Sequence, residues 1–215
     1  MGDKVDTYRK KYCFIGSLLL VASFLLMGAA ASGHAATPSI SNVTATDVAD
    51  TQFSVVWASD VACTGTLQIF SDAGATQEIT GSLTLDYQSD DHAPAEDNGV
   101  MKVTVTGLES NTLYYFRIVT ISSEGVLVEP ALGELPSVHT EIESQLVEND
   151  VIAHKILQND GTTPATGGLL LAQLEGASYP ITGWVGDGVS DPSYALVDLN
   201  NFYSEETHMN LESCA

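Results

Sequence analysis

Leu108-Glu109-Ser110-Asn111-Thr112-Leu113-Tyr114-Tyr115-Phe116-Arg117-Ile118 is the stretch that decides the fold of this chain. Tyr114, Phe116 and Ile118 alternate with Tyr115, Arg117 and Val119. A period of two sets the first three on one face of a strand, against a core. Glu109-Ser110-Asn111, just ahead, is a turn-forming cluster. Working outward, Met101, Val103 and Val105 alternate with Lys102, Thr104 and Thr106. Phe53, Val55 and Trp57 alternate with Ser54, Val56 and Ala58, and Leu67 and Ile69 with Thr66 and Gln68. Ser71-Asp72-Ala73-Gly74 and Asp97-Asn98-Gly99 supply further turns. Short alternating strands at this spacing predict an all-β chain built on a sandwich.

Residues 37–141 resemble a fibronectin type III domain, an immunoglobulin-like sandwich. Pro38-Ser39-Ile40-Ser41-Asn42-Val43 resembles its first strand. Phe53-Ser54-Val55-Val56-Trp57 resembles the second, whose Trp packs in the core. The opening stretch resembles the Leu…Thr-x-Tyr-x-Phe-x-Val signature of that family. The resemblance implies structural roles for Trp57, Leu108 and Tyr114. Tyr114 would be the tyrosine corner, its hydroxyl bonded back to the preceding turn. Two features depart from the pattern. Ser110 stands where the family has Pro, and Ser71 to Asn98 is long and irregular, which leaves the middle strand pairing open. No Arg-Gly-Asp is present to support integrin-type adhesion.

Residues 142–149 read as a polar connector, and a second small β unit is expected over 150–203. Val151-Ile152-Ala153-His154-Lys155-Ile156-Leu157 is strand-like, and Asn159-Asp160-Gly161-Thr162-Thr163-Pro164-Ala165 is a strong turn signal. Gly168-Leu169-Leu170-Leu171-Ala172-Gln173-Leu174, Trp184 and Tyr194-Ala195-Leu196-Val197-Asp198-Leu199 supply further strands. This order resembles carboxypeptidase regulatory-like domains, which are small β-sandwiches of bacterial surface proteins. The unit has few strands for that class. It is therefore expected either to be truncated or to finish against the first domain, with 204–215 as a tail.

The first 36 residues read as a signal peptide with an apolar signal helix. Lys4, Arg9, Lys10 and Lys11 precede an apolar run from Phe14 to Met27, and small residues follow to Ala36. The run is short for a membrane span, which needs about 20 residues. Cleavage could fall after Ala31, Gly33 or Ala35, and an uncleaved membrane anchor is the alternative reading. The expected destination is the periplasm, the cell surface or the medium.

Charge excludes some partners. Of 7 basic and 28 acidic residues, the leader removes four basic ones together with Asp3 and Asp6. Lys102, Arg117 and Lys155 then face 26 acidic residues, a net charge of −23. Nucleic acid and anionic membranes are read through Lys and Arg. Neither is an expected partner, and membrane contact is expected only through an uncleaved leader. Of the 3 cysteines, Cys63 and Cys214 lie beyond the leader. An oxidising compartment permits them to pair, and two free thiols are the alternative.

Few residues point to chemistry. His34, His92, His139, His154 and His208 are scattered, with no Gly-x-Ser-x-Gly elbow, no His-Glu-x-x-His pair and no phosphate loop. Asp90, Asp91, Glu96 and Asp97 place hard oxygen ligands on one loop, the type Ca²⁺ takes, with a solvated acidic loop as the alternative. Asp187 and Asp191 form a second, sparser pair. Trp184, Tyr179, Tyr194 and Tyr203 could make a carbohydrate platform or simply a core. No catalytic residue and no organic cofactor is expected. The chain reads as an exported binding, adhesion or spacer module whose partner is a protein or polysaccharide. The alternative is an accessory part, carbohydrate-binding or positioning, of an extracellular hydrolase.

Overall fold

The structure, a computed structural model, describes residues 22–23, 38–92, 95–143, 151–187 and 191–206. Its strands, in chain order, are β1 (Ala22–Ser23), β2 (Ile40–Thr46), β3 (Gln52–Ser59), β4 (Thr64–Phe70), β5 (Thr84–Tyr87), β6 (Val100–Thr106) and β7 (Leu113–Ser122). They continue as β8 (Gly125–Glu129), β9 (Ser137–His139), β10 (Val151–Lys155), β11 (Leu169–Ala172), β12 (Ile181–Trp184) and β13 (Tyr194–Asp198). The chain is all-β, as the alternation predicts. The expected signal helix lies outside the described residues apart from β1, which is extended.

Two antiparallel sheets face each other over residues 40–139. One has the order β2-β3-β6-β5, and the other has β4-β7-β8 with β9 also on β7. This is the strand order of a constant-type immunoglobulin sandwich. Register explains the core. Phe53 faces Val105, Val55 faces Val103 and Trp57 faces Met101 across β3 and β6. Those six side chains meet Leu67, Ile69, Phe116 and Ile118 of the opposite sheet. The Phe53 and Phe116 rings lie 6.2 Å apart, tilted at 41°. Fully burying each such side chain contributes about 1.5–3 kcal/mol.

Two polar side-chain groups within this core, on Trp57 and Tyr114, have partners. The Trp57 indole N–H donates to Thr120 Oγ1 at 3.1 Å. The ring lies so close over Gly65 that an added Cβ would collide with it. Leu108 and Tyr114 are buried in the same cluster. The Glu109 N–H donates to the Tyr114 hydroxyl at 2.9 Å, which is the geometry of a tyrosine corner.

The irregular stretch after β4 resolves into a loop and one short strand. Asp72 accepts the N–H groups of Gly74, Thr76 and Gln77, which closes the loop. β5 then pairs with β6 from Thr84↔Thr106 to Tyr87↔Val103. The last strand of the sandwich is split: β8 and β9 occupy successive stretches of the β7 edge.

The second unit is made of two antiparallel strand pairs, β11 with β12 and β10 with β13. A Val185↔Ala195 bridge joins them. Leu170, Ala172, Ile181, Val185, Ala195, Val197 and Phe202 form its core. The turn expected at Asn159–Ala165 is held by Asp160, which accepts the N–H groups of Thr162 and Thr163 at 2.8 Å each. The unit runs past the expected boundary at 203. Ser204 bridges to Ala177, and the Glu205 N–H donates to Gly176 O at 2.9 Å. Backbone hydrogen bonds, which composition does not reveal, carry it that far. Residues 144–149 of the expected connector lie outside the described set, as does residue 150 at the start of the expected second unit.

The second unit packs against the first sandwich. Val56, on the outer face of β3, is buried with Ala95, Leu169 and Trp184 in a third apolar cluster. The Asp47 N–H donates to Pro180 O at 3.0 Å, and the His139 N–H donates to the Tyr179 hydroxyl at 3.0 Å.

Candidate functional site

The junction between the two units gathers most of the chain's unusual side chains. Asp47, just past β2, is held at φ 50°, in the left-handed region. That conformation turns its carboxylate toward the second unit. Oδ1 accepts the Thr182 N–H at 2.7 Å, and Oδ2 accepts the Thr182 hydroxyl at 2.5 Å. Oδ2 also accepts the Thr46 hydroxyl at 3.0 Å and pairs with Lys102 Nζ at 3.1 Å. The Lys102 side chain is only 9% exposed. A cation so enclosed needs its partner, because an unpaired buried charge is costly.

A second cluster borders this joint. The His92 ring stacks on the Trp184 ring at 4.6 Å with a 15° interplanar angle. His92 Nε2 lies 3.6 Å from Asp187 Oδ1. Trp184 itself is buried at 2% exposure.

Between the units lies a cavity of about 150 Å³. Its walls are Asn42 and Thr44 of β2, Val56 of β3, Val100 of β6, and Leu169 and Leu171 of β11. The β2 side contains a bulge between Ser41 and Thr44, with Asn42 at φ 57°. A bulge bends its strand locally, and here the bent segment forms one wall of the cavity. The lining is apolar apart from the two β2 side chains, so the space suits an aliphatic group.

The sequence-predicted ligand groups fare differently. The side chains of Asp90 and Asp91 lie outside the described set. Glu96 and Asp97 sit on the turn that leads into β6, where Glu96 O accepts the N–H groups of Cys63 and Gly99. Among the described residues, no three His, Cys, Asp or Glu side chains are grouped to hold a metal ion. Asp187 and Asp191 have separate partners. Asp187 is beside His92, and Asp191 accepts the hydroxyl and N–H of Ser193, which holds its carboxyl below the usual range. Lys155 stands 3.9 Å from Asp191.

The aromatic quartet is mainly interior. Trp184 and Tyr203 are buried, and Tyr179 and Tyr194 are half-buried. Burial raises the Tyr179 hydroxyl above its ordinary pKa. Trp184 packs in the apolar cluster at the joint, and Tyr179 packs against the core of the first sandwich.

Cys63 is a buried free thiol, pushed above its ordinary pKa by burial. Cys214 lies outside the described residues. Three cations among the described residues have partners within the chain: Lys102 on Asp47, Lys155 near Asp191, and the Arg117 guanidinium 5.5 Å from the Phe70 ring centre.

Sequence reasoning missed Asp47, which is one acid among 28. A signal was present in Lys102, a cation on the polar face of a strand in a chain with few cations. Comparison with protein-family models, curated proteins and solved structures finds no match to this chain.

Proposed function

We propose that the chain is an exported, non-catalytic β-protein. In this reading a fibronectin type III-like sandwich, stiffened by the unit docked on its sheet, acts as a binding, adhesion or spacer module at the cell exterior. One observation carries the reading: several polar and aromatic side chains among the described residues are engaged in holding strands and units together. Tyr114 closes its corner, Trp57 bonds Thr120, Tyr179 bonds His139, Asp47 bonds Thr182, and His92 stacks on Trp184. The acidic surface supports it further, since high net charge keeps a displayed domain soluble and monomeric. The partner would be a protein or a polysaccharide rather than a polyanion.

The test uses the full chain made in a secreting bacterial host. We expect recovery from the periplasm, the surface or the medium, with a new N-terminus at Ser32, His34 or Ala36. The recovered protein is expected to be retained on a surface polysaccharide or protein fraction, and to turn over no ester, glycoside or peptide substrate. Full-length protein confined to the cytoplasm would overturn the export reading. Substrate turnover would overturn the non-catalytic one.

A further inference from the structure

The first sandwich guards most of its strand edges. An edge strand is normally protected by a charge, a proline, a bulge or a covering loop, because its free N–H and C=O groups invite another strand. β2 carries the bulge between Ser41 and Thr44, and β5 contains Asp86. β4 is covered by the loop that follows it. The Ile69 N–H donates to Thr80 Oγ1 at 2.8 Å, and the Ile79 N–H donates to Ile69 O at 2.8 Å. At β9 the Tyr179 hydroxyl accepts the His139 N–H. β8 is different. Its sequence is Gly-Val-Leu-Val-Glu, and its register on β7 runs unbroken from Ser122↔Gly125 to Ile118↔Glu129. No charge, proline or bulge interrupts Gly125 to Val128. Among the described residues, no strand pairs with the outer edge of β8.

The free donors of that edge have fixed places. Opposed pairs on an antiparallel ladder alternate between bonded and unbonded. Ser123 and Glu124 form a two-residue turn, so Ser122↔Gly125 is a bonded pair, and Ile121↔Val126 and Val119↔Val128 are not. The N–H and C=O groups of Val126 and Val128 therefore point away from β7. Their side chains stand opposite Ile121 and Val119 on the outer face of the sheet. Val126 is 62% exposed and Ile121 is 45% exposed, an apolar patch of the kind that marks an interaction site. Charge selects the occupant. Exposed Glu124 and Glu129 bracket the apolar stretch, and among the described residues neither takes part in an ion pair. Arg117, the cation on that face of β7, lies over the Phe70 ring of β4, on the opposite side of β7 from β8. A second copy of β8 would bring its own Glu124 and Glu129 beside these, and like charges across a strand pair are destabilising.

We propose that the outer edge of β8 is a strand-acceptor site for an extended protein segment, apolar at alternate positions and carrying Lys or Arg at each end. Backbone bonds to Val126 and Val128 supply affinity, the apolar side chains cover Val126 and Ile121, and the cations pair with Glu124 and Glu129. The proposal rests on the reading of the chain as a binding module and selects a protein partner over a polysaccharide.

The test measures binding of the full chain to a fluorescein-labelled peptide, Lys-Val-Thr-Val-Thr-Lys, by fluorescence anisotropy. The peptide is expected to bind, and more weakly as salt rises. Its counterpart Glu-Val-Thr-Val-Thr-Glu should not bind. V126P and V128P each remove one outward donor and leave the bonds to β7, a placement that an edge strand tolerates. Each should keep the fold by circular dichroism and weaken binding about tenfold. The charge exchange E124K/E129K alters no backbone group and decides the matter if the prolines disturb folding. It should reverse the preference, toward the Glu-ended peptide. Equal binding of the two peptides, or binding that neither the prolines nor the charge exchange alters, would overturn the proposal. So would self-association of the parent chain that V128P abolishes, which would assign the edge to a second copy. Retention on a polysaccharide without peptide binding would overturn the proposal and leave the binding-module reading standing. Peptide binding by a chain confined to the cytoplasm would uphold the β8 site and overturn the export reading alone.

Discussion

Asp47 accepts a hydrogen bond from the Thr182 N–H across 135 residues of chain, and its other oxygen holds the enclosed Lys102 ammonium at 3.1 Å. The joint therefore couples a charge inside the first sandwich to the backbone of the second unit. Replacing Asp47 with Ala leaves Lys102 buried and unpaired. We expect a loss of about 3–5 kcal/mol, the cost of breaking such a pair. Urea denaturation measures it, with faster proteolysis of the second unit as a companion sign. D47A combined with K102M should recover part of the loss, because no charge is then stranded.

Tyr114 predicts a smaller and more local effect. Y114F keeps the ring in the core and removes the acceptor for the Glu109 N–H. A lost hydrogen bond of this kind costs about 0.5–1.5 kcal/mol, and slightly more where the donor stays shielded from water. The urea midpoint should fall with the slope of the transition unchanged.

Two glycines test the packing separately. At Gly65 an added Cβ would collide with the Trp57 ring, and at Gly183 it would collide with the backbone oxygen of Leu196. Overpacking of a core costs about 1–3 kcal/mol. G65A should shift Trp57 emission, and G183A should shift Trp184 emission. Each can be read alone by changing the other of the two Trp residues to Phe.

Acid should act on the turn at Asp160. Hydrogen bonds from the Thr163 hydroxyl, then from the Thr163 and Thr162 N–H groups, lower its pKa to about 2. An unfolded Asp titrates near 3.9. Because the folded value is the lower one, the stabilisation is full above about pH 4 and disappears as pH falls toward 2. The gap in Tm between the parent and D160N should be constant from pH 7 to 5 and close between pH 4 and 2. A gap that does not vary with pH would rule out the titration.

Cys63 offers a check on the core. Burial raises its pKa, and only the thiolate reacts with disulfide reagents. In a C13S/C214S background, labelling at pH 8 should be negligible in the native protein and prompt in 6 M guanidinium.

The first sandwich was legible in sequence because one face of its strands is buried. Phe53, Val55 and Trp57 declare that face by alternation, and the corner motif at Leu108 to Tyr114 fixes the register of a later strand. The same alternation misled about the opposite face. Val56 and Lys102 stand at outward positions, yet the docked unit and Asp47 enclose them. Period-two patterning reports which residues share a face but not what lies on its far side. The joint was illegible for a related reason: Asp47 and Thr182 are ordinary residues whose meaning comes only from being brought together. The aromatic quartet left two readings open, because a core and a binding platform draw on the same side chains.

The long separation of that joint carries a consequence in time. Synthesis proceeds at roughly 5–20 residues per second, so the first sandwich can be complete several seconds before β12 exists. During that interval Val56 faces water and Lys102 lacks the full setting of its ion pair. Loop closure adds only about 0.6 kcal/mol for each doubling of length, so the delay hardly weakens the finished joint. It lengthens the wait instead. The nascent chain passes through a stage with a folded first sandwich and an unfinished sticky face, when a chaperone or a neighbouring chain has its opening.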